Sequence, residues 1–225
     1  ARDLPPQGRE VSSYDVKLAV ATRPEPLRDH ATKFGVRLAE NHTELSANTA
    51  LIISAVTANQ AVPVALACAP AIKKGTWFLD INSASPRAKQ HAAQLIDSAG
   101  GRYVEAAGMT SIPPYWIKVP LLLGGPHASA MLPHLTDLGF EARVVSEKIG
   151  VASATKMCRS VMIKGMEALT LECFLAAKRY GIFYEVAASL KNNYPRLDWK
   201  KSSEYNIERM ASHGVRRAHE MGTVA

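Results

Sequence analysis

Short apolar runs rich in β-branched residues alternate with helix-like segments through about two-thirds of the chain. The runs are VKLAVA (16–21), LIISAV (51–56), TWFLDIN (76–82), RYVEAA (102–107), VPLLLGG (119–125) and ARVVSE (142–147). Most of them are continuously apolar, which is typical of strands covered on both faces. We therefore predict a strand in each run.

Helical periodicity fills the segments between these runs, at residues 24–35, 59–75, 85–101 and 126–139. Each segment has a glycine near its end, where a left-handed C-cap favours that residue. Alternating strands and helices predict a doubly wound, parallel α/β sheet. From residue 151 to about 179 the apolar residues recur at helical spacing, and no strand-like run follows. A second, all-helical unit is therefore expected to begin near residue 150.

The composition is that of a folded protein, because 47% of the 225 residues are apolar. Cys68, Cys158 and Cys173 lie in apolar helical patterns, which predicts reduced thiols and a cytoplasmic location. The N-terminal residues contain no apolar signal core, and no run approaches the ~20 apolar residues of a membrane helix. We expect neither export nor membrane insertion.

The formal net charge of +7 raises the question of a nucleic-acid partner. However, the lysines and arginines are spread along the chain, and no aromatic residues are interleaved with them as in a base-stacking platform. A small phosphate-bearing ligand explains the excess charge equally well. We expect no nucleic acid and an anionic small molecule, with the basic region 191–217 serving mainly as a solvated helical surface.

Three predicted strands end in segments that carry polar or charged side chains, and open α/β sheets bind ligands at such ends. In DINSASP (80–86), Ser83 or Ser85 can cap the next helix. The loop in EAAGMTSIPPYW (105–116) offers hydroxyl groups from Thr110 and Ser111. Each of these two segments also has a purely structural interpretation, as a capped helix or as a loop.

Arg23 follows the strand predicted at residues 16–21. In dinucleotide-binding folds an acidic residue after the second strand binds the ribose hydroxyls, whereas an arginine there can pair with a 2′-phosphate. Arg23 therefore favours NADP over NAD as a cofactor. The alternative is an exposed loop arginine.

The helix predicted from residue 151 has two distinct faces, because successive residues rotate by ~100°. One face carries Lys156, Ser160 and Glu167, with Lys164 at its margin. The other is an apolar stripe of Met157, Val161, Ala168, Leu171 and Leu175. A lysine on such a helix commonly extends to solvent. The position of Lys156 just after the sheet domain, taken with the strand ends, makes it a candidate catalytic residue.

Three segments in this order resemble motifs of the β-hydroxyacid dehydrogenase superfamily, which includes 6-phosphogluconate and 3-hydroxyisobutyrate dehydrogenases. LDINSASP (79–86) is similar to its D-x-S-T-x-S-P segment, and GGRYVEAAGMTSIPPY (100–115) to the strand and substrate loop that usually ends in Ser-Gly-Gly. Residues 150–169 resemble its G-x-x-x-x-x-K-x-x-x-N helix. LDW (197–199) and HGVRRAHEM (213–221) resemble markers of the narrower group with a DUF1932 C-terminal domain.

The resemblance implies a Rossmann-like NAD(P)-binding domain at residues 1–148 and an all-α, DUF1932-like domain at 149–225. It further implies hydride transfer between nicotinamide and a hydroxyacid or related carbonyl substrate, and a homodimer. Lys156 would be the acid/base, and its reference pKa of ~10.4 would have to be lowered for that role. The residues implied at the nicotinamide end are Val56, Thr57 and Ser83, and those implied at the substrate are Asn82, Thr110 and Ser160.

The sequence departs from the family pattern in three places. Ser160 replaces the asparagine that accompanies the lysine, and Met109-Thr110-Ser111 replaces Ser-Gly-Gly, which favours a less usual and bulkier substrate. No G-x-G-x-x-G motif occurs near the N-terminus, so we expect the first strand and the phosphate-binding turn to be missing. The chain is then either the middle of a longer protein or a shortened relative. In the second case, a non-catalytic remnant that binds a dinucleotide or metabolite is the alternative function.

Overall fold

The computed structural model divides into two units, residues 1–156 and residues 157–225. The structure describes Leu4, residues 8–20 and residues 25–222, without the side chains of 19–20 and 215–222. The strands are β1 Ser12–Ser13, β2 Arg37–Leu38, β3 Leu51–Ser54, β4 Trp77–Asp80, β5 Arg102–Gly108, β6 Leu121–Gly124 and β7 Ala142–Ser146. The helices are α1 Lys17–Val20, α2 Glu25–Lys33, α3 His42–Ala47, α4 Ala61–Cys68, α5 Pro86–Ser98, α6 Ile112–Tyr115, α7 Ala128–Asp137, α8 Val151–Arg179, α9 Phe183–Asn193 and α10 Trp199–Gly222.

The main sheet of the first unit has the strand order β3-β4-β5-β6-β7. Its neighbouring strands are parallel, except that β5 and β6 are antiparallel. The parallel pairs are joined through α4, α5 and α7, whereas residues 109–120 contain only α6 and a 3₁₀ turn. A connection without a full crossover helix returns the chain in the opposite direction. The predicted sheet is confirmed, with this one reversal.

Alternate residues of the strands enter two hydrophobic clusters. Phe78 and Tyr103 are buried with Ala92 and Ile96 of α5. Leu79 is buried in the other cluster, together with Val104 of β5 and with Met131 and Leu135 of α7. Because side chains of a strand point alternately to opposite faces, the sheet is covered on both faces. This explains why the predicted strands are almost continuously apolar.

The strand predicted at residues 16–21 is wrong, because residues 17–20 form helix α1. The carboxylate of Asp15 accepts a hydrogen bond from the backbone N–H of Lys17 at 2.9 Å, as helix-capping residues do. The strand pairing in this region instead joins β1 and β2 in parallel. These strands of two residues each are too short to produce a periodic signal. The other five predicted strands are confirmed as β3 to β7.

The second unit contains helices and no strand among its described residues. Phe174 is buried, with its ring centroid 5.0 Å from that of Phe183 and 6.3 Å from that of Trp199. The buried Glu167 accepts a hydrogen bond from Arg209 at 2.9 Å. These contacts join α8, α9 and α10. An all-helical C-terminal region is thereby confirmed.

Candidate active site

The segment between β4 and α5 carries two serines with different roles. Ser85 is the N-cap of α5, because its hydroxyl oxygen accepts a hydrogen bond from the N–H of Ala88 at 3.3 Å. Pro86 is the first residue of the helix, where its missing N–H costs nothing. Ser83 is exposed. Since Ser85 performs the capping, the hydroxyl of Ser83 is available to another group.

That group is the amine of Lys156. Its Nζ atom donates a hydrogen bond to Oγ of Ser83 at 2.8 Å, although the two residues are 73 positions apart in the chain. Lys156 is half-buried in the second turn of α8. The structure therefore brings together the predicted acid/base and one residue predicted at the nicotinamide end, at the carboxyl end of β4.

Asn82 links the ends of β3 and β4. Its side chain is buried, its Nδ2 atom donates to Oγ of Ser54 at 2.9 Å, and its Oδ1 atom accepts from the backbone N–H of Val56. Val56 is 40% exposed, and Thr57 is exposed beside it. The loop that carries these two residues is thus tied to the segment that carries Ser83. Direct contact of Asn82 with a substrate stays a prediction.

A buried ionic cluster lies immediately before this segment. The carboxylate of Asp80 accepts hydrogen bonds from Nζ of Lys89 at 2.7 Å, from the hydroxyl of Tyr103 at 2.7 Å and from the N–H of Asn82 at 2.9 Å. Asp80, Lys89 and Tyr103 are each 0% exposed. Burial lowers the pKa of Lys89, although the charges of Asp80 and Glu105 oppose that shift. Burial and the charge of Asp80 raise the pKa of Tyr103.

The sequence contains a signal for the buried Lys89 that a charge-based interpretation overlooks. Lys89, Ala92, Ala93 and Ile96 have the i, i+3, i+4, i+7 spacing of one helix face, and all four are buried. A lysine within such an apolar stripe must find an internal partner. The aspartate at the end of the preceding strand provides it.

A second buried carboxylate, that of Glu105, lies at the start of α8. Its Oε1 atom accepts hydrogen bonds from the backbone N–H groups of Gly150 and Ala152, both at 2.9 Å, and its Oε2 atom accepts from the hydroxyl of Ser153 at 3.1 Å. Glu105 is 0% exposed. Its position within a buried strand is the only sequence signal for it.

The remaining predicted residues lie in three different places. Thr110 is exposed in the loop after β5, next to Met109, which packs against the cluster of Ala107, Leu122 and Ala152. Ser160 lies on α8 in the second unit and is half-buried. Arg23 lies outside the described residues. The premise that Arg23 follows a strand no longer holds, because α1 occupies residues 17–20.

A cleft of about 240 Å³ lies beside the two short strands. Tyr14 follows β1, and Ala39 and Glu40 follow β2, so these lining residues come from the carboxyl ends of the pair. Arg28 of α2 contributes a guanidinium group to the lining. The other lining residues are Leu18 and Leu38. The sequence does not identify this cleft, because it does not identify the two strands.

Within the part of the chain that the structure describes, no three His, Cys, Asp or Glu side chains are arranged to hold a metal ion. None of the described helices combines the length and the apolar character that crossing a membrane requires.

Comparisons with known proteins agree on one family. A domain of unknown function, DUF1932, matches residues 177–225. An uncharacterized 28.5 kDa protein of Methanothermus fervidus, encoded in the 7S RNA 5′ region, is 30% identical over 177 residues, which are 79% of this chain and 67% of that protein. The structure of conserved protein MTH1747 is 28% identical with a TM-score of 0.79, over 99% of this chain and 81% of that one. That protein is described as structurally similar to 3-hydroxyacid dehydrogenases.

The chain belongs to the β-hydroxyacid dehydrogenase superfamily. A conserved hypothetical protein of Sinorhizobium meliloti is also similar, with 34% identity and a TM-score of 0.82 over 99% of this chain and 74% of that one. More distant members of the same fold include a 3-hydroxyisobutyrate dehydrogenase of Salmonella typhimurium, 16% identical with a TM-score of 0.73 over 100% of this chain and 80% of that one. An imine reductase of Myxococcus stipitatus in complex with NADP⁺ is 17% identical, with a TM-score of 0.66 over 95% of this chain and 72% of that one. The predicted fold class, a Rossmann-like sheet followed by helices, is therefore confirmed.

Proposed function

We propose that the protein is an NAD(P)-dependent oxidoreductase that transfers hydride between nicotinamide and a hydroxyacid or related carbonyl substrate, with Lys156 as the acid/base. The observation that carries the proposal is the hydrogen bond of 2.8 Å from Lys156 to Ser83 at the carboxyl end of β4. This is the edge of an open α/β sheet at which ligands bind. Membership of the superfamily supports the reaction class.

The residues at this edge fit the nicotinamide end of a cofactor. Val56 offers an exposed apolar side chain, and Thr57 and Ser83 offer exposed hydroxyl groups. They follow the neighbouring parallel strands β3 and β4, and Asn82 holds the two loops together. When bound, the nicotinamide would accept or supply the hydride.

The chain itself would move the proton. In the oxidation direction the Lys156 amine takes the hydroxyl proton of the substrate, and in the reduction direction it returns that proton to the carbonyl oxygen. The Ser83 oxygen accepts from the amine and so fixes its direction. Thr110 and Ser160 are proposed to donate hydroxyl hydrogen bonds to the substrate, and Asn82 to shape its site. Ser160 follows Lys156 by about one turn of α8.

The test compares Lys156→Ala with Lys148→Ala, which removes an exposed lysine of the same unit. NADP⁺ and NAD⁺ are each supplied with 3-hydroxyisobutyrate, 3-hydroxypropanoate and 6-phosphogluconate, and nicotinamide reduction is followed by absorbance. We expect Lys156→Ala to lower kcat by ~10²–10⁴-fold, which is typical for loss of a general acid/base, and Lys148→Ala to have no effect. Turnover of Lys156→Ala at the parent rate would refute the assignment. A parent chain that binds neither NADPH nor NADH favours the non-catalytic remnant.

The choice between NADP and NAD is argued from the residues that line the cleft beside β1 and β2, and no longer from Arg23. Tyr14 provides an aromatic ring there, and Arg28 provides a charge that suits the 2′-phosphate of NADP. The carboxylate of Asp15 favours NAD instead, because it also follows β1. We propose NADP with Arg28 as the phosphate partner. Arg28→Ala should then weaken NADPH binding by about tenfold and leave NADH binding unchanged in fluorescence titrations. Equal effects on both cofactors would contradict the proposed pairing.

We further propose that the protein is a homodimer that associates through α8. Met162, Met166 and Leu169 have the i, i+4, i+7 spacing of one helix face and are 66%, 40% and 66% exposed. An exposed apolar stripe of this kind favours a second copy of the same helix as its partner. Sedimentation velocity should show a dimer for the parent chain and a monomer for Leu169→Glu. A monomeric parent chain would contradict the proposal.

A further inference from the structure

The buried carboxylate of Glu105 and the first turn of α8 form one hydrogen-bonded unit. Both oxygens accept from this turn, from the N–H groups of Gly150 and Ala152 and from the hydroxyl of Ser153. A carboxylate that is 0% exposed requires such compensation. The helix dipole also stabilises the carboxylate, because the positive end of the dipole lies at the N-terminus of α8. Glu105 thus caps α8 although it belongs to a strand 45 residues earlier in the chain.

The surrounding backbone makes room for this carboxylate. Gly124 is its neighbour on β6, and a Cβ atom at Gly124 would lie within 3.0 Å of both Oε1 and Cγ of Glu105. Gly150, the residue before α8, has a φ of +101°, a conformation that L side chains rarely adopt. Beside the Glu105 carboxylate, Gly124 is therefore required by the lack of space for a Cβ atom, and Gly150 by its positive φ.

Glu105 also stands in register with the residue that holds the Ser83 segment. Asp80 of β4 and Glu105 of β5 are paired across the parallel strands. Asp80 accepts the N–H of Asn82, the residue before Ser83, while Glu105 accepts the N–H groups at the start of the helix that carries Lys156. Two neighbouring carboxylates on rigid strands thus hold both ends of the Lys156–Ser83 hydrogen bond.

We infer that Glu105 is a positioning residue for Lys156: it fixes where α8 begins and thereby holds the amine at the hydroxyl of Ser83. The expected effect on kcat rests on the proposed function, whereas the expected effect on the position of the Lys156 amine does not. Glu105 touches neither of the proposed reacting groups. It acts through the helix start alone.

The experiment compares Glu105→Ala and Glu105→Gln with Asn41→Ala. Glutamine keeps an oxygen that can accept from the two N–H groups, so it is the conservative variant. Asn41 is the N-cap of α3, and its Oδ1 atom accepts a hydrogen bond from the backbone N–H of Glu44 at 2.8 Å. Asn41→Ala is therefore the control, because it also removes a helix cap but from a helix that carries no candidate site residue. If Glu105→Ala fails to fold, Ser153→Ala carries the test, because it removes the hydroxyl that donates to Oε2 of Glu105.

The first measurement needs no turnover. Lysines are reductively methylated with ¹³C-formaldehyde, and the Lys156 signal is assigned by its loss in Lys156→Arg. We expect Glu105→Ala to move this signal toward that of exposed lysines and to speed hydrogen exchange at residues 151–156 by about 10-fold or more. Asn41→Ala should change neither. An unchanged Lys156 signal in Glu105→Ala, or in Ser153→Ala if Glu105→Ala does not fold, overturns the inference, whether or not the protein proves to be an oxidoreductase.

The second measurement uses NADP⁺ and 3-hydroxyisobutyrate, or whichever of the named hydroxyacids the parent chain oxidises. We expect Glu105→Ala to lower kcat by about 100-fold, because small displacements of a reacting group have effects of this size. The Kd for NADPH should stay within about threefold of the parent value, and Glu105→Gln should recover most of kcat. Equal losses in kcat and in NADPH affinity would indicate a general structural role and overturn the inference. A parent chain without turnover refutes the proposed function and leaves the first measurement to decide.

Discussion

The buried ion pair between Lys89 and Asp80 gives the sharpest prediction on stability. Replacing Lys89 with Met keeps the length and most of the volume of the side chain but removes the ammonium group. That group donates to the carboxylate of Asp80 at 2.7 Å and to its backbone carbonyl at 2.8 Å. After the substitution, Asp80 would keep its hydrogen bonds from Asn82 and Tyr103 but would lose its positive partner.

The expected loss is about 3–5 kcal/mol, the usual cost of removing one member of a buried ion pair. The upper part of this range applies, because Glu105 is the register neighbour of Asp80, and without the lysine no cation would offset the repulsion between the two carboxylates. For a chain of this length the loss corresponds to a fall in Tm of about 6–20 °C. The folded state should remain populated at 25 °C if its stability lies in the usual range of ~5–15 kcal/mol.

The assay is urea unfolding followed by tryptophan fluorescence, because Trp77 lies on β4 within three residues of Asp80. Lys148→Met is the matched control, since it removes the charge of an exposed lysine and should change stability by less than about 0.5 kcal/mol. The double variant Asp80→Asn/Lys89→Met removes both charges and should recover part of the loss. A loss below about 1 kcal/mol for Lys89→Met alone would refute the assignment of a charged, essential pair.

Three further predictions concern other parts of the chain. Burial lowers the pKa of His42 below 6.5, so the folded protein binds this proton more weakly than the unfolded chain does. The free energy of unfolding should therefore fall as the pH drops from 6.5 through the pKa of the folded state. In urea titrations, His42→Gln should remove that pH dependence. Cys68 is buried and burial raises the pKa of its thiol, so iodoacetamide at pH 8 should leave Cys68 unmodified in the folded protein and modify it only after unfolding, as mass spectrometry of peptides would show. Arg209→Met should destabilise the second unit by about 1–3 kcal/mol in urea unfolding, because the carboxylate of Glu167, whose side chain is 3% exposed, would lose the hydrogen bond of 2.9 Å from Arg209. A loss below about 0.5 kcal/mol would contradict this.

The main sheet could be predicted from the sequence because its strands are buried on both faces. Burial on both faces makes each run continuously apolar, and such runs stand out between amphipathic helices. The same signal fails at residues 16–21, where a short apolar run gives no period that separates helix from strand. There the backbone N–H groups of Lys17 and Leu18 donate to the carboxylate and to the backbone carbonyl of Asp15, which favours the helix. Strands β1 and β2 lie below the length at which any pattern can appear.

The candidate site was predictable only where a residue type has a fixed place in a motif. Lys156 and Ser83 could be paired because their segments resemble family motifs, and in the structure Nζ of Lys156 lies 2.8 Å from Oγ of Ser83. The two buried carboxylates could not be paired with their partners in the same way. Which backbone N–H groups meet Glu105 depends on strand register and on the path of residues 142–150, neither of which a local pattern determines.

Strand register also explains why one lysine serves two carboxylates. Phe78 and Tyr103 are register partners buried in one cluster with α5, and Asp80 and Glu105 lie two residues further along the same strands. Residues two apart on a strand face the same side, so both carboxylates face the side that α5 covers. Two like charges in register repel each other unless a cation lies near both. Lys89 of α5 is that cation, since it contacts Asp80 directly and is affected electrostatically by Glu105 as well. A substitution at Lys89 should therefore disturb the Ser83 segment and the start of α8 together, whereas substitutions at Asp80 or Glu105 should each act mainly on one of them.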